Sequence, residues 1–199
     1  MPVTLTRKGQ AYEVTQDEGV RAEASVDSLG ALRPAFHHSG TVTAGSASQL
    51  SDGACAVVVM NNAVAERRGL RWLAEITGHG LVARPDSTLQ SHPAEAIKAA
   101  RSAAGLTPAE LDLVAINEAF AAVGIAATRD WGSLPRWSTS TVARLPSATR
   151  WGCPTPASSC ISRSSSRAVA WRGVAALCRG GGQGQAIVLR SPQGLRRSN

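Results

Sequence analysis

The sequence predicts a layered α/β fold. Short apolar runs rich in β-branched residues, the pattern of buried strands, occur at 56–60 and 113–116. Alanine-rich stretches at 94–104 and 119–127 repeat their larger apolar residues at helical spacing. Strands and helices that alternate along a chain fold as layers around one sheet. Composition agrees: 199 residues with 43% hydrophobic and 18% charged content can build a globular core.

Taken in order, Val3-Thr4-Leu5 and Tyr12-Glu13-Val14 alternate as short strands about a Lys8-Gly9 turn. Ser25 is placed to cap a short helix that reaches Leu32, before Pro34. Residues 40–48 form a loop of small side chains, suited either to close approach of a ligand to the backbone or to a plain surface loop. The run 56–60 reads as a central strand, opened by Cys55 as core filling. Asn61 or Asn62 caps a helix that Gly69 ends. Residues 72–77 alternate as a further strand, and His79 and His92 flank the loop after it as isolated surface histidines. Pro93 opens a helix with Ala96, Ile97, Ala100 and Ala104 inward and Gly105 past its end. Thr107-Pro108-Ala109-Glu110 is a capping box leading into the next strand.

Residues 111–127 organise the rest. The strand Leu113-Val114-Ala115-Ile116 delivers Asn117 and Glu118 at its carboxyl end, and a helix follows with Phe120, Val123 and Ala127 on one face. This is where α/β proteins place ligand contacts, although Asn117 also fits a simple helix cap.

Charge is divided unevenly. Residues 1–133 hold eleven lysines and arginines and all fourteen acids, whereas residues 134–199 hold ten arginines, no lysine and no acid. The scattered arginines follow no nucleic-acid recognition pattern, so no nucleic-acid partner is expected. No apolar run approaches a membrane span, so no membrane partner is expected. The first residues lack the basic and apolar regions of a secretory signal, and Cys55, Cys153, Cys160 and Cys178 show no metal-ligand spacing. The expectation is a cytoplasmic protein with reduced thiols and no metal.

Five strings in order, Gly40-Thr41-Val42-Thr43-Ala44-Gly45, Ala47-Ser48, Asp52-Gly53-Ala54, Asn117-Glu118-Ala119-Phe120 and Cys178-Arg179-Gly180-Gly181-Gly182-Gln183-Gly184, resemble the thiolases. The resemblance runs from Pro2 to about Trp131 and resumes from about Arg172 to Leu189; within the family it looks most like bacterial acetyl-CoA acetyltransferases. It implies an acyltransferase that condenses or cleaves acyl-CoA through a cysteine acyl-enzyme, with acyl-CoA as substrate and no permanently bound cofactor. It implies a homo-oligomer in the intact family. The fold implied is one half of a thiolase-like layered αβα fold with a mixed central sheet.

By position, Cys178 is similar to the family's second cysteine, which moves the α-proton of the substrate and needs a pKa near neutrality. A buried cysteine at a strand end is the plainer alternative. Gly180 is similar to the glycine whose backbone N–H helps hold the thioester oxygen. Asn117 is similar to the asparagine that orients a second oxyanion site through a water. Ala47 and Ser48 match contacts to the pantetheine arm of CoA, and Arg21 a residue near its nucleotide end.

Two departures bear on activity. The chain opens where a thiolase's second half begins, without the nucleophilic cysteine, and an amino-terminal thiolase half is implied as a partner. The Gly-His-Pro motif is also missing. Ala148-Thr149-Arg150-Trp151 can be encoded so that, after a preceding G and a shift of one base, the neighbouring frame reads Gly-His-Pro-Leu. A frameshift entered near Ser133–Ser138 and left near Arg167–Trp171 accounts for the absent acids, the serine runs and the prolines Pro146, Pro154 and Pro156. The expected organisation is a thiolase C-terminal-type domain at 1–133 and an irregular segment at 134–170. A motif-bearing strand-loop-strand at 171–190 and a tail at 191–199 complete it. With the usual helix lost, apolar sheet surface is expected to lie exposed. The isolated chain is expected to be inactive, the alternative being a non-catalytic CoA-binding or subunit-association remnant.

Overall fold

A computed structural model describes residues 3–15, 21–49, 56–83, 89–131, 138–139 and 171–192. Two strands, β1 (Val3–Arg7) and β2 (Gln10–Val14), pair antiparallel about the left-handed Lys8-Gly9 turn, φ 51° and 79°. The short helix α1 (Val26–Gly30) starts at a Ser25–Ser28 capping box, as predicted, but stops short of Leu32. Helix α2 (Asn62–Arg67) is capped by the Asn61 side chain, which accepts from the Ala63 amide at 2.9 Å.

The remaining elements are β3 (Glu75–Ala83), α3 (His92–Ala103), β4 (Leu113–Asn117), α4 (Ala121–Trp131), β5 (Ser138–Thr139), β6 (Arg172–Arg179) and β7 (Gln183–Arg190). They form one five-stranded sheet in the order β3-β7-β6-β4-β5. β4 runs parallel to β5 and β6, while β7 is antiparallel to both β6 and β3. The sheet is therefore mixed, and the α/β expectation holds.

One face of the sheet carries Val114, Ile116, Val174, Ala176, Cys178, Ala186 and Val188, packed against Ala96, Ile97 and Ala100 of α3 and Val123 and Ala127 of α4. These are residues whose spacing predicted the inward faces, except that Phe120, expected on the same helix face, precedes α4 and packs on Phe36 instead. Helix α3 lies almost on the sheet backbone because the strands beneath it present glycines. A side chain at Gly80 would sit 2.2 Å from the Ala96 carbonyl oxygen, and one at Gly78 would sit 2.4 Å from that of Ala100. The other face buries Leu113, Ala115, Ala175 and Leu189 together with Trp171, whose indole lies against Gly173. Of the apolar sheet residues, these are buried, whereas Ile76 and Leu81 of β3 are 55% and 65% exposed. The bulk of segment 134–170, including the Gly-His-Pro position, lies outside the described residues.

Three sequence expectations are corrected. Residues 56–60 are not a central strand: no described strand pairs with them, and Val57, Val58 and Val59 are 62%, 87% and 71% exposed. β3 begins at Glu75 and runs through His79, so that histidine lies in a strand, where Nε2 is 3.1 Å from the Gln185 amide nitrogen. His92 is not a surface residue but the fully buried first residue of α3.

Candidate active site

β4 and β6 run parallel, so their carboxyl ends meet at one end of the sheet. The register pairs Asn117 with Leu177, which sets the predicted amide-bearing turn beside the predicted cysteine. Strand alternation directs Cys178 to the face of Val174 and Ala176, and Asn117 to the face of Leu113 and Ala115. The two side chains therefore leave the sheet on opposite faces.

The Cys178 thiol is buried, 9% exposed. Burial pushes its pKa up, and this outweighs two opposing hydrogen bonds, from its own backbone N–H and from that of Ala119. The neutral pKa that proton transfer needs is therefore not produced by the described surroundings.

Ala119 ties the cysteine to the small-residue loop. Its carbonyl accepts from the Ser48 amide at 3.1 Å, and the Ala121 amide donates to the Ser46 carbonyl at 2.9 Å. Ala47 and Phe120 form the bridge between these two bonds. The loop is held in shape by its own hydroxyls: Ser46 Oγ accepts from the Thr43 amide at 3.0 Å, and Thr43 Oγ1 from the Gly45 amide at 3.2 Å. Phe36 meets Phe120 edge-to-face, with ring centroids 6.1 Å apart. The backbones of Cys178, Asn117, Ala47 and Ser48, from separate parts of the sequence, are thus neighbours through strand pairing and a few backbone hydrogen bonds.

Gly180 follows Cys178 by two residues, in the turn between β6 and β7, and a side chain there would meet nothing within 4 Å. The turn's backbone demand falls on Gly181 and Gly182, with φ of 86° and 76°. Arg21 is exposed on the segment before α1, where its carbonyl accepts from the Ala24 amide at 3.3 Å, and none of the bonds described above connects it to this cluster.

The burial of two residues of this region was not read from the sequence. Glu118 is 7% exposed, and burial raises its carboxyl pKa. Its carboxyl fills the space over Gly124, where Oε1 lies 1.6 Å from the position of an added side-chain carbon. A helical glycine six residues after a buried-strand acid was the signal available. His92 covers Gly184, the cross-strand partner of Cys178: a side chain at Gly184 would sit 2.4 Å from the His92 carbonyl oxygen. Neither ring nitrogen of His92 has a hydrogen-bond partner among the described residues. No group of three or more His, Cys, Asp or Glu among the described residues is placed to hold a metal.

Parallel strands β4 and β6 thus end at a buried cysteine, beside a turn hydrogen-bonded to the small-residue loop. The family model described as thiolase, N-terminal domain, matches residues 1–63, and that described as thiolase, C-terminal domain, matches residues 70–191. The chain belongs to the thiolase family. It is 51% identical over 196 residues to a probable acetyl-CoA acetyltransferase of Mycolicibacterium smegmatis, covering 96% of this chain and 50% of the relative. Among solved structures it is similar to the Bacillus anthracis acetyl-CoA acetyltransferase, with TM-score 0.86 and 30% identity over 96% of this chain and 49% of that one. It is also similar to human mitochondrial 3-ketoacyl-CoA thiolase in complex with CoA, with TM-score 0.79 and 30% identity over 95% and 48% of the two chains. The chain spans about half the length of the curated relatives it matches.

Proposed function

We propose that this chain supplies the proton-transfer half of an acetyl-CoA acetyltransferase pocket. The observation that carries the reading is the Ala119 backbone, whose N–H faces the Cys178 thiol and whose carbonyl accepts from the Ser48 amide at 3.1 Å.

In this reading the Cys178 thiolate takes a proton from the carbon next to the thioester of acetyl-CoA. The resulting carbanion attacks the acyl group carried on the nucleophilic cysteine of an amino-terminal half. The new C–C bond forms as the C–S bond of the acyl-enzyme breaks, and the nucleophile leaves as thiolate. The Gly180 backbone N–H steadies the thioester oxygen, and Asn117 holds a water toward the second oxyanion. Ala47 and Ser48 meet the pantetheine arm, and Arg21 the nucleotide end. CoA enters as substrate, not as a resident cofactor. The 199 residues alone lack both the nucleophile and the Gly-His-Pro histidine. We place the assembled enzyme in the cytoplasm as an oligomer; no helix among the described residues is long and apolar enough to cross a membrane.

The upward shift of the Cys178 thiol favours a second reading, a CoA-binding remnant without catalysis. Thiolysis of acetoacetyl-CoA separates the two. The first reading expects turnover only when an amino-terminal thiolase half is added and the Gly-His-Pro histidine is restored, and loss of that turnover with Cys178→Ser. Thermal stabilisation by CoA, with no turnover even in the mixture, supports the remnant.

A further inference from the structure

The segment leading into the small-residue loop doubles back on itself and carries two adjacent imidazoles at its tip. Pro34 bridges Thr43, and the Ala35 amide donates to the Val42 carbonyl at 2.8 Å. The Gly40 amide closes the tip on the His37 carbonyl, also at 2.8 Å. His37 and His38 are exposed there, with ring centroids 4.3 Å apart. A few residues beyond the same turn the chain reaches Ala47 and Ser48.

The tautomer of His37 follows from its neighbour. A backbone N–H can only donate, and that of Ser39 lies 3.3 Å from His37 Nδ1. Nδ1 therefore accepts, and the neutral ring carries its proton on Nε2. The Ser39 hydroxyl, 2.8 Å from the same nitrogen, also holds the ring. His37 thus offers an N–H donor at Nε2 from a ring whose orientation is fixed.

Charge around the tip has one sign. From Ser28 to Ser51 the sequence holds Arg33, His37 and His38 but no acid. The tip is also tied to the candidate site. Phe36, beside His37 in the chain, meets Phe120 edge-to-face, and Phe120 bridges Ala47. An acid-free tip with an oriented N–H donor suits the oxygens of a phosphate group.

We propose that His37 and His38 form a phosphate-binding pair that takes the diphosphate of CoA as its pantetheine arm enters along Ala47 and Ser48. The proposal rests on the functional reading above for the identity of the ligand. The site itself is defined by phosphate chemistry, and binding alone tests it, without turnover.

The probes for the full 199-residue chain are CoA, pantetheine, which has no phosphate, and inorganic diphosphate. CoA is expected to bind more tightly than pantetheine. Inorganic diphosphate is expected to compete with CoA and to shift the ring NMR signals of His37 and His38. The double replacement His37→Ala with His38→Ala is expected to weaken CoA about tenfold and leave pantetheine unchanged. Both positions are exposed, so circular dichroism should not change. His37→Lys with His38→Lys, which keeps cationic donors at the tip, is expected to restore CoA binding. CoA affinity unmoved by the alanine pair overturns the proposal. So does equal weakening of CoA and pantetheine, or ring signals that ignore saturating diphosphate. Ring signals that move with diphosphate, in a chain that binds neither CoA nor pantetheine, uphold the phosphate site and count against the CoA reading alone.

Discussion

The backbone N–H of Ala119 donates to the Cys178 thiol, joining a residue at the mouth of α4 to one at the end of β6, 59 positions later. The bond opposes the cost of burying the thiol without cancelling it. Any group that completes the pocket must therefore bring the rest of the shift, and the isolated chain has a measurable signature of its absence.

That signature is alkylation of Cys178. A free cysteine has a pKa of about 8.5. In this chain, reaction with iodoacetamide, followed by peptide mass at Cys178, is expected to reach half its maximal rate only above that pH. Half-maximal reaction near neutrality would show that the described surroundings already activate the thiol.

Glu118 makes stability depend on pH with a definite sign. Its folded pKa is raised by burial, so the neutral form is favoured in the fold. The stability it contributes is fully present below about pH 4, the unfolded glutamate range, and declines as pH rises through the folded value. Melting of Glu118→Gln compared with the unaltered chain from pH 4 to pH 7 is expected to show the unaltered chain losing ground steadily. Parallel curves would refute the assignment.

Gly184 and Gly180 predict opposite outcomes for the same substitution. Gly184→Ala drives a carbon to 2.4 Å from the His92 carbonyl oxygen and is expected to cost about 2–3 kcal/mol in urea unfolding. Gly180→Ala meets nothing within 4 Å and is expected to stay within about 0.5 kcal/mol, yet to lower turnover in the complemented enzyme.

Ile97 is fully buried between α3 and the sheet, and Ile97→Ala is expected to cost about 2–5 kcal/mol by the same measurement.

The segment 134–170 carries a prediction at the level of the gene. We propose that it is read out of frame, so resequencing across Ser133 to Trp171 should reveal a one-base change that restores Gly-His-Pro. Peptide masses matching the present residues, from an intact and uninterrupted frame, would exclude it.

Much of the candidate site was legible beforehand because its motifs are local. Asn117 follows a four-residue apolar strand, and the glycines after Cys178 demand a tight turn; Gly181 and Gly182 do carry positive φ. Glu118 and His92 were not legible in this way. A polar residue's burial depends on what is laid over it: Glu118 on Gly124, and His92 on a strand more than ninety residues later.

By itself the sequence determined the α/β order, the caps at Ser25 and Thr107, a cap at Asn61 or Asn62, and the inward face of α3. These follow from side-chain periodicity and from hydrogen bonds spanning only a few residues. The tertiary structure alone decided that α3 rests on Gly78, Gly80 and Gly184, that burial raises the Cys178 thiol, and that the valines of 56–60 stand in solvent. An apolar pattern states which face seeks burial. Whether a second surface is present to receive it is a property of the assembled chain.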